Sequence, residues 1–134
     1  MDKETRTINE FIQKGNLSEL SSEVDSIIRK IFSNGCTICC HYISDKSSYN
    51  SGPPPIIRIE MNDRNVPVQI IWDILHEYGH FLSGEQEKKG PKINRELLAW
   101  QYAKKELENY PKLRQMILEF EAYAEFCLRT YSHP

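Results

Sequence analysis

The segment WDILHEYGHFLSG, residues 72–84, places two histidines four positions apart inside a run with helical periodicity. At about 100° per residue, the apolar residues of this region fall on one broad arc, and the histidines fall on the opposite side. That arc contains Ile70, Ile71, Ile74, Leu75, Tyr78, Phe81 and Leu82. We therefore predict a helix over residues 66–83, capped by Gly84, whose core packing does not require the histidines.

His76 and His80 are spaced to share a metal ion. Side chains at positions i and i+4 of a helix have Cβ atoms about 5–6 Å apart, so two imidazoles can converge on one Zn2+ ion. Glu77 lies about 100° further around the helix, where its carboxylate can take a proton from a water molecule held by the metal. We interpret the motif as a zinc site with Glu77 as general base; the alternative is three ordinary polar residues.

A zinc site with two histidines needs a third protein ligand, and Glu96 is the candidate. A helix predicted over residues 93–107 places this carboxylate on the apolar stripe. The other members of that stripe are Ile93, Ala99, Trp100, Ala103 and Leu107. A buried carboxylate is costly unless it is paired, and a zinc ion held by His76 and His80 would pair it. A salt bridge to lysine or arginine is the alternative.

Five further residues near the motif invite interpretation. Gly79 costs about 1 kcal/mol of helix propensity relative to alanine, which predicts that substrate or another backbone approaches closely there. Asp73, one turn before the first histidine, either orients a histidine or is solvated. A tyrosine can stabilise the oxyanion formed during hydrolysis. The sequence does not choose among the candidates Tyr102, Tyr123 and Tyr131.

The rest of the chain predicts a mostly helical α+β fold with a small antiparallel or mixed sheet, in one domain over residues 1–134. Its predicted parts are N-terminal helices within 1–34, strands within 36–62, and a C-terminal helix over 111–131. The strands, Cys36 to Ile43 and Ile56 to Asn62, flank the loop segment SDKSSYNSGPPP. The portion Ile57 to Met61 is expected at the sheet edge, where an extended substrate can pair with it. A polar connector, SGEQEKKGP, precedes the Glu96 helix.

Composition limits the partners. The formal net charge of -2 gives no electrostatic reason to expect direct nucleic-acid or membrane binding. The opening residues lack the apolar stretch of a secretory signal, and no segment approaches a membrane span in length. We therefore expect a cytoplasmic location, in which Cys36, Cys39, Cys40 and Cys127 stay reduced. The CTICC cluster is interpreted as strand cysteines, with a small metal site as the alternative.

The segment IIRIEMNDRNVPVQIIWDILHEYGHFLSG, followed by NRELLAWQYA, resembles the ImmA/IrrE family of gluzincin-like zinc metallopeptidases. The matching residues are Asn62, then His76, Glu77, Gly79 and His80, then Glu96 with Ala99, Tyr102 and Ala103. The resemblance covers about the middle third of the chain. It implies a compact zincin-like domain in which His76, His80 and Glu96 hold zinc, and a bacterial enzyme that cleaves helix-turn-helix repressors.

Motif and resemblance together predict a zinc-dependent endopeptidase that hydrolyses a peptide bond in a protein substrate, with a transcriptional repressor as the candidate partner. Three alternatives stay open. The first is a deformylase-like hydrolase, in which a cysteine of the segment 36–40 completes the metal site. The second is a non-catalytic metal-binding protein that binds a repressor or toxin partner. The third is a metal-free helical interaction domain.

Overall fold

The computed structural model of this protein describes residues 2–43, 45–62, 64–84 and 90–132. It confirms the predicted fold class, a mostly helical α+β chain with a small sheet, and the sheet is mixed. The elements are α1 (Lys3–Lys14), a 3-10 turn (Ser18–Leu20), α2 (Ser21–Ser33), β1 (Thr37–His41), β2 (Ser48–Asn50), β3 (Ile56–Glu60), α3 (Val68–Ser83), α4 (Lys92–Leu107), α5 (Pro111–Arg114) and α6 (Ile117–Ser132).

The chain divides into two compact units, residues 1–74 and residues 75–134, with the boundary inside α3. The prediction of a single domain therefore stays a prediction. Most of the polar connector lies outside the described residues, as do both ends of the predicted domain. Among the described residues, no helix has both the length and the apolar character needed to cross a membrane.

In the first unit, α1 and α2 pack against each other and against β1. Their buried faces follow the helical spacing of the sequence. They consist of Ile8 and Phe11 in α1, and of Val24, Ile27, Ile28 and Ile31 in α2. The side chain of Asp2 accepts a hydrogen bond from the backbone N–H of Thr5 at 2.7 Å, which caps the start of α1. Local periodicity thus indicates both helices, and a side-chain cap adds to it at the start of α1 alone.

The sheet has the order β1-β3-β2, which corrects two predictions. β3 is the central strand rather than an edge, because β1 pairs with it in parallel and β2 pairs with it antiparallel. The segment predicted as loop contains β2, which pairs with β3 over Ile56–Arg58. On the same side, the backbone N–H of Glu60 donates to Ser47 Oγ at 3.0 Å. Both edges of β3 are occupied, so an extended substrate cannot pair with it as expected.

The C-terminal helix predicted over 111–131 is two helices. Pro111 lies in the first turn of α5, a position that tolerates proline. The backbone N–H of Met116 then donates to the carbonyl of Leu113 at 2.9 Å, a three-residue spacing that tightens the turn. α6 begins directly afterwards, and it buries Phe120 and Ala124. The break therefore comes from a tight turn between α5 and α6.

A polar network joins the end of β3 to the start of α3. The guanidinium of Arg64 donates to the backbone carbonyl of Glu60 at 2.9 Å and pairs with Asp73 Oδ2 at 2.5 Å. Ser47 Oγ donates to the same carboxylate at 3.1 Å. Asp73, which was predicted either to orient a histidine or to be solvated, is thus held by Arg64 and Ser47. This network ties the segment around β3 to the second turn of α3.

Replacing Arg64 by alanine is expected to lower the free energy of unfolding by about 1–3 kcal/mol. The side chains of Arg64 and Asp73 are each only 13% exposed, so the substitution leaves a carboxylate poorly solvated and without its cation. Urea denaturation measures the loss. Arg29→Ala is the matched control, because Arg29 is 43% exposed and such surface pairs contribute less than about 1 kcal/mol. Equal losses in both variants would contradict the assignment.

Candidate metal centre

The site lies in the second unit, where α3 and α4 approach each other backbone to backbone. A Cβ atom added at Gly79 would lie 2.1 Å from the carbonyl oxygen of Ala99, a separation that only glycine avoids. The close approach predicted at Gly79 is therefore made by the backbone of α4. Because Glu96 lies three residues before Ala99, this contact brings its carboxylate next to the motif histidines.

The three residues selected as metal ligands are brought together. Glu96 Oε2 lies 2.7 Å from His80 Nε2, and Glu96 Oε1 lies 3.1 Å from His76 Nε2. One potential ligand atom from each residue falls within 4.8 Å of the other two, and all three residues are buried. Among the described residues, the ion pairs of Glu96 are with these histidines and not with a lysine or arginine.

Attraction between the histidines and the carboxylates favours the charged forms of His76, His80 and Glu96. Burial by itself lowers the pKa of His76, but the carboxylates of Glu77 and Glu96 outweigh it and raise that pKa to about 9. Burial also opposes a charged His80, yet Glu96 raises the His80 pKa above its ordinary value. For Glu96, burial favours the neutral form, whereas the two histidines hold its pKa well below the usual range. Histidines and carboxylates therefore compensate each other's charge in the interior.

The donor atoms fit a metal ion. Within the described part of the chain, His76 Nε2 is buried and makes no hydrogen bond of good geometry, although Glu96 Oε1 lies 3.1 Å away. A buried polar atom left unpaired costs about 1–3 kcal/mol and calls for an explanation. Two imidazole nitrogens and one carboxylate oxygen form the protein ligand set of several catalytic zinc sites. A metal ion bound by His76, His80 and Glu96 would satisfy the unpaired nitrogen.

Glu77 lies beside the cluster and contacts it through His76. Its Oε2 is 3.2 Å from His76 Nδ1, and the residue is only 6% exposed. A carboxylate on the second ring nitrogen of a metal-binding histidine fixes the tautomer and the ring orientation. Glu77 is therefore placed to orient His76, in addition to the predicted role as a base.

Among the candidate tyrosines, the structure brings Tyr131 to the ligand cluster. Burial raises the pKa of Tyr131, and the charge of Glu96 and a hydrogen bond to it raise that pKa further. The ring of Tyr123 instead meets Trp100 edge-on, with centroids 6.2 Å apart. The ring of Tyr102 lies 5.6 Å from the ammonium of a lysine on its own helix. Of the three candidates, Tyr131 at the end of α6 is therefore the one whose pKa responds to Glu96.

The cysteine cluster does not contribute to the group of potential ligands found among the described residues. None of the four cysteines, all of which are described, forms a disulfide. Burial raises the pKa of the Cys36 thiol to about 11, and it also raises the pKa of Cys40. A raised pKa disfavours the thiolate that binds metals, so these residues match strand cysteines better than ligands.

Sequence reasoning missed one residue of the site. Trp100 was assigned only to the apolar stripe of the Glu96 helix, but its ring stacks on that of His76 with centroids 4.2 Å apart. The available signal was its position, one turn after Glu96 on the same helix face. An aromatic residue one turn from a ligand is therefore to be considered part of the site as well as of the core.

No family model, curated protein or solved structure matches the chain. The resemblance to the ImmA/IrrE family therefore stays a prediction, carried by the motif residues. What the structure contributes is the geometry of a buried His-His-Glu cluster that can hold a metal ion.

Proposed function

We propose that the protein is a zinc-dependent endopeptidase, similar to the ImmA/IrrE family, that acts in the cytoplasm on a protein substrate. One observation carries the proposal: His76 and His80 of α3 and Glu96 of α4 converge at one buried point. Structural zinc sites usually have four protein ligands, whereas catalytic sites have three and leave one position for water or substrate. A cluster of three supports the catalytic type.

Each residue has a task in this proposal. His76, His80 and Glu96 would hold the ion, and zinc, when bound, supplies Lewis-acid chemistry that acidifies water and polarises a carbonyl group. Glu77 takes up a proton from the attacking water on a carboxylate oxygen and delivers it to the nitrogen of the departing amine. The hydroxyl of Tyr131 donates a hydrogen bond to the substrate carbonyl oxygen as negative charge develops there.

The proposed substrate class, a helix-turn-helix repressor of a mobile element or stress response, rests on the resemblance alone. Direct nucleic-acid contact is not part of the proposal. Purified repressor candidates encoded beside this gene are the substrates to try first, because such a protease and its repressor are expected to be produced together.

A second candidate is a metal-binding protein without hydrolytic activity. The contact that favours it is the 3.2 Å approach of Glu77 Oε2 to His76 Nδ1, which gives this carboxylate a role without catalysis. Metal binding is common to both candidates. They differ in whether Glu77 moves a proton, and the comparison of metal content with cleavage separates them.

Alanine at His76, His80 or Glu96 is expected to abolish equimolar zinc binding. Each substitution removes one of the three potential ligands found among the described residues, and Glu96→Asp should retain part of the affinity because it keeps the carboxylate. Metal analysis by plasma mass spectrometry, after dialysis against a weak chelator, measures the zinc content. Zinc content equal to that of the wild type in all alanine variants would refute the site.

The cysteine alternative has its own test. The triple variant with serine at Cys36, Cys39 and Cys40 is expected to keep its zinc, because the potential ligand group contains no cysteine. Cobalt-substituted protein gives a second readout, since thiolate ligands add an intense near-ultraviolet charge-transfer band. Such a band in the wild type, lost in the triple variant, would assign the site to the deformylase-like alternative.

A further inference from the structure

The indole ring of Trp100 stacks on the imidazole of His76, one of the proposed metal ligands. The planes of its indole and of the His76 imidazole are 7° from parallel, with ring centroids 4.2 Å apart. Trp100 is only 5% exposed, and it follows Glu96 by one turn of α4. One turn of α4 therefore carries the proposed ligand Glu96 and the indole that stacks on the proposed ligand His76.

The indole is itself held in place by α6. Phe120 meets it edge-on with centroids 5.5 Å apart and planes at 67°, and Tyr123 does the same at 6.2 Å and 83°. Edge-to-face contacts at these separations are favourable aromatic geometries. Two rings of α6 in edge-to-face contact and one stacked imidazole therefore restrain the orientation of Trp100.

Hydrogen bonding does not account for a tryptophan at this position. Its indole Nε1 is buried and has no hydrogen-bond partner among the residues that the structure describes, whereas a buried tryptophan usually finds one. A phenylalanine would avoid the unpaired donor but would offer a smaller flat surface. The feature that the indole supplies, and that a smaller ring supplies less well, is the broad face stacked on His76.

We infer that Trp100 is a positioning residue that fixes the ring plane of the metal ligand His76. The outer torsion of a histidine side chain is broad, so its rotamer alone does not hold the plane. Stacking on Trp100 restrains that plane, and Glu77 at the Nδ1 edge opposes the half-turn that stacking alone would permit. Together they keep Nε2 directed towards Glu96. The inference rests on the metal-binding part of the proposed function.

Replacing Trp100 is expected to weaken zinc binding. Residues that orient metal-binding histidines typically contribute about 10–100-fold in affinity, so Trp100→Leu, which cannot stack, should lose about that much. Trp100→Phe, which keeps a smaller flat ring, should lose less. The cobalt-substituted variants should also show altered absorption bands, because a freely rotating ligand changes the geometry around the ion. A purely structural tryptophan would leave those bands unchanged.

The experiment compares these two variants with Leu107→Ala, a cavity-forming change at a fully buried residue two turns further along α4. Zinc affinity is measured by competition with a chromophoric chelator, and the folded fraction is followed by circular dichroism. Leu107→Ala should lower the unfolding temperature while keeping zinc affinity close to that of the wild type. A larger loss of affinity in Trp100→Leu than in Leu107→Ala supports the inference.

Contrary results are separable. If both Trp100 variants bind zinc as tightly as the wild type does, Trp100 has no positioning role, although the metal site stands. If the wild type binds no zinc, the proposed function fails as well. Should Trp100→Leu not fold, Trp100→Phe decides. Weaker zinc binding by folded Trp100→Phe protein supports the inference. Zinc affinity and cobalt absorption bands equal to those of the wild type overturn it.

Discussion

Gly79→Ala is expected to abolish equimolar zinc binding and to destabilise the protein, although helix propensity alone predicts a gain of about 1 kcal/mol. The added Cβ would lie 2.1 Å from the oxygen of Ala99 and 2.9 Å from its carbonyl carbon. Both are backbone atoms, so no side-chain rotation relieves the contact and the two helices must separate. Overpacking of this kind costs about 1–3 kcal/mol or more. Urea denaturation and metal analysis measure the two effects.

The control for this substitution uses the other side of the contact. Ala99→Gly should not rescue Gly79→Ala, because the atoms that clash belong to the backbone of residue 99 and remain after its Cβ is removed. Denaturation is followed in excess chelator, so that loss of metal does not contribute to the difference in stability. A Gly79→Ala protein that is more stable than the wild type and keeps its zinc would show that these backbones do not touch.

The features predicted correctly from sequence are those that local pattern determines. The helix of the motif was located because its apolar arc repeats every turn. Glu96 was selected because a carboxylate on an apolar stripe needs a partner, and the structure supplies two histidines. At Gly79 the sequence indicated a close approach, but it did not indicate what approaches, because the backbone of Ala99 comes from another helix.

The prediction about the sheet was wrong because it depends on contacts between distant segments. β2 consists of Ser48, Tyr49 and Asn50, a short polar run without the alternation of a buried strand, and it forms where β3 offers unpaired backbone groups. Its presence turns β3 from an edge into the centre of the sheet. The break after α5 was missed for a different reason. It is a local turn, and apolar residues such as Leu113 and Phe120 stay buried on both sides of it. The apolar pattern therefore gave no sign of an interruption.

α4 concentrates the requirements of the candidate centre within five residues. Glu96 supplies the carboxylate, Ala99 supplies a backbone close enough to touch α3, and Trp100 supplies the ring behind His76. The spacings of three and four residues place all of them on one face of the helix. That face is also the buried face, so core packing and ligand geometry depend on the same positions. Substitutions at these three positions are expected to affect stability and metal binding together.

Glu77 is the position where metal binding and peptide hydrolysis should separate. Glu77→Gln is expected to keep equimolar zinc and to reduce peptide hydrolysis by about 10²–10⁴-fold, the usual contribution of a general base. The amide has nearly the shape of the carboxylate, and its oxygen can still accept a hydrogen bond from His76 Nδ1, which lies 3.2 Å away. It cannot, however, take up a proton from water. Metal analysis gives the zinc content, and mass spectrometry of a mixed-sequence peptide library gives the cleavage rate.

The matched control is Glu121→Gln, which makes the same chemical change at a half-exposed glutamate paired with Lys104, and it should change neither zinc content nor cleavage. Cleavage by the wild type that persists in Glu77→Gln would confine Glu77 to orienting His76 and remove it as the base. Zinc binding without cleavage by the wild type, on the library and on the neighbouring repressor candidates, would favour the non-catalytic candidate. Only loss of hydrolysis with retention of zinc supports the assignment, because an orienting carboxylate is replaceable by an amide whereas a proton acceptor is not.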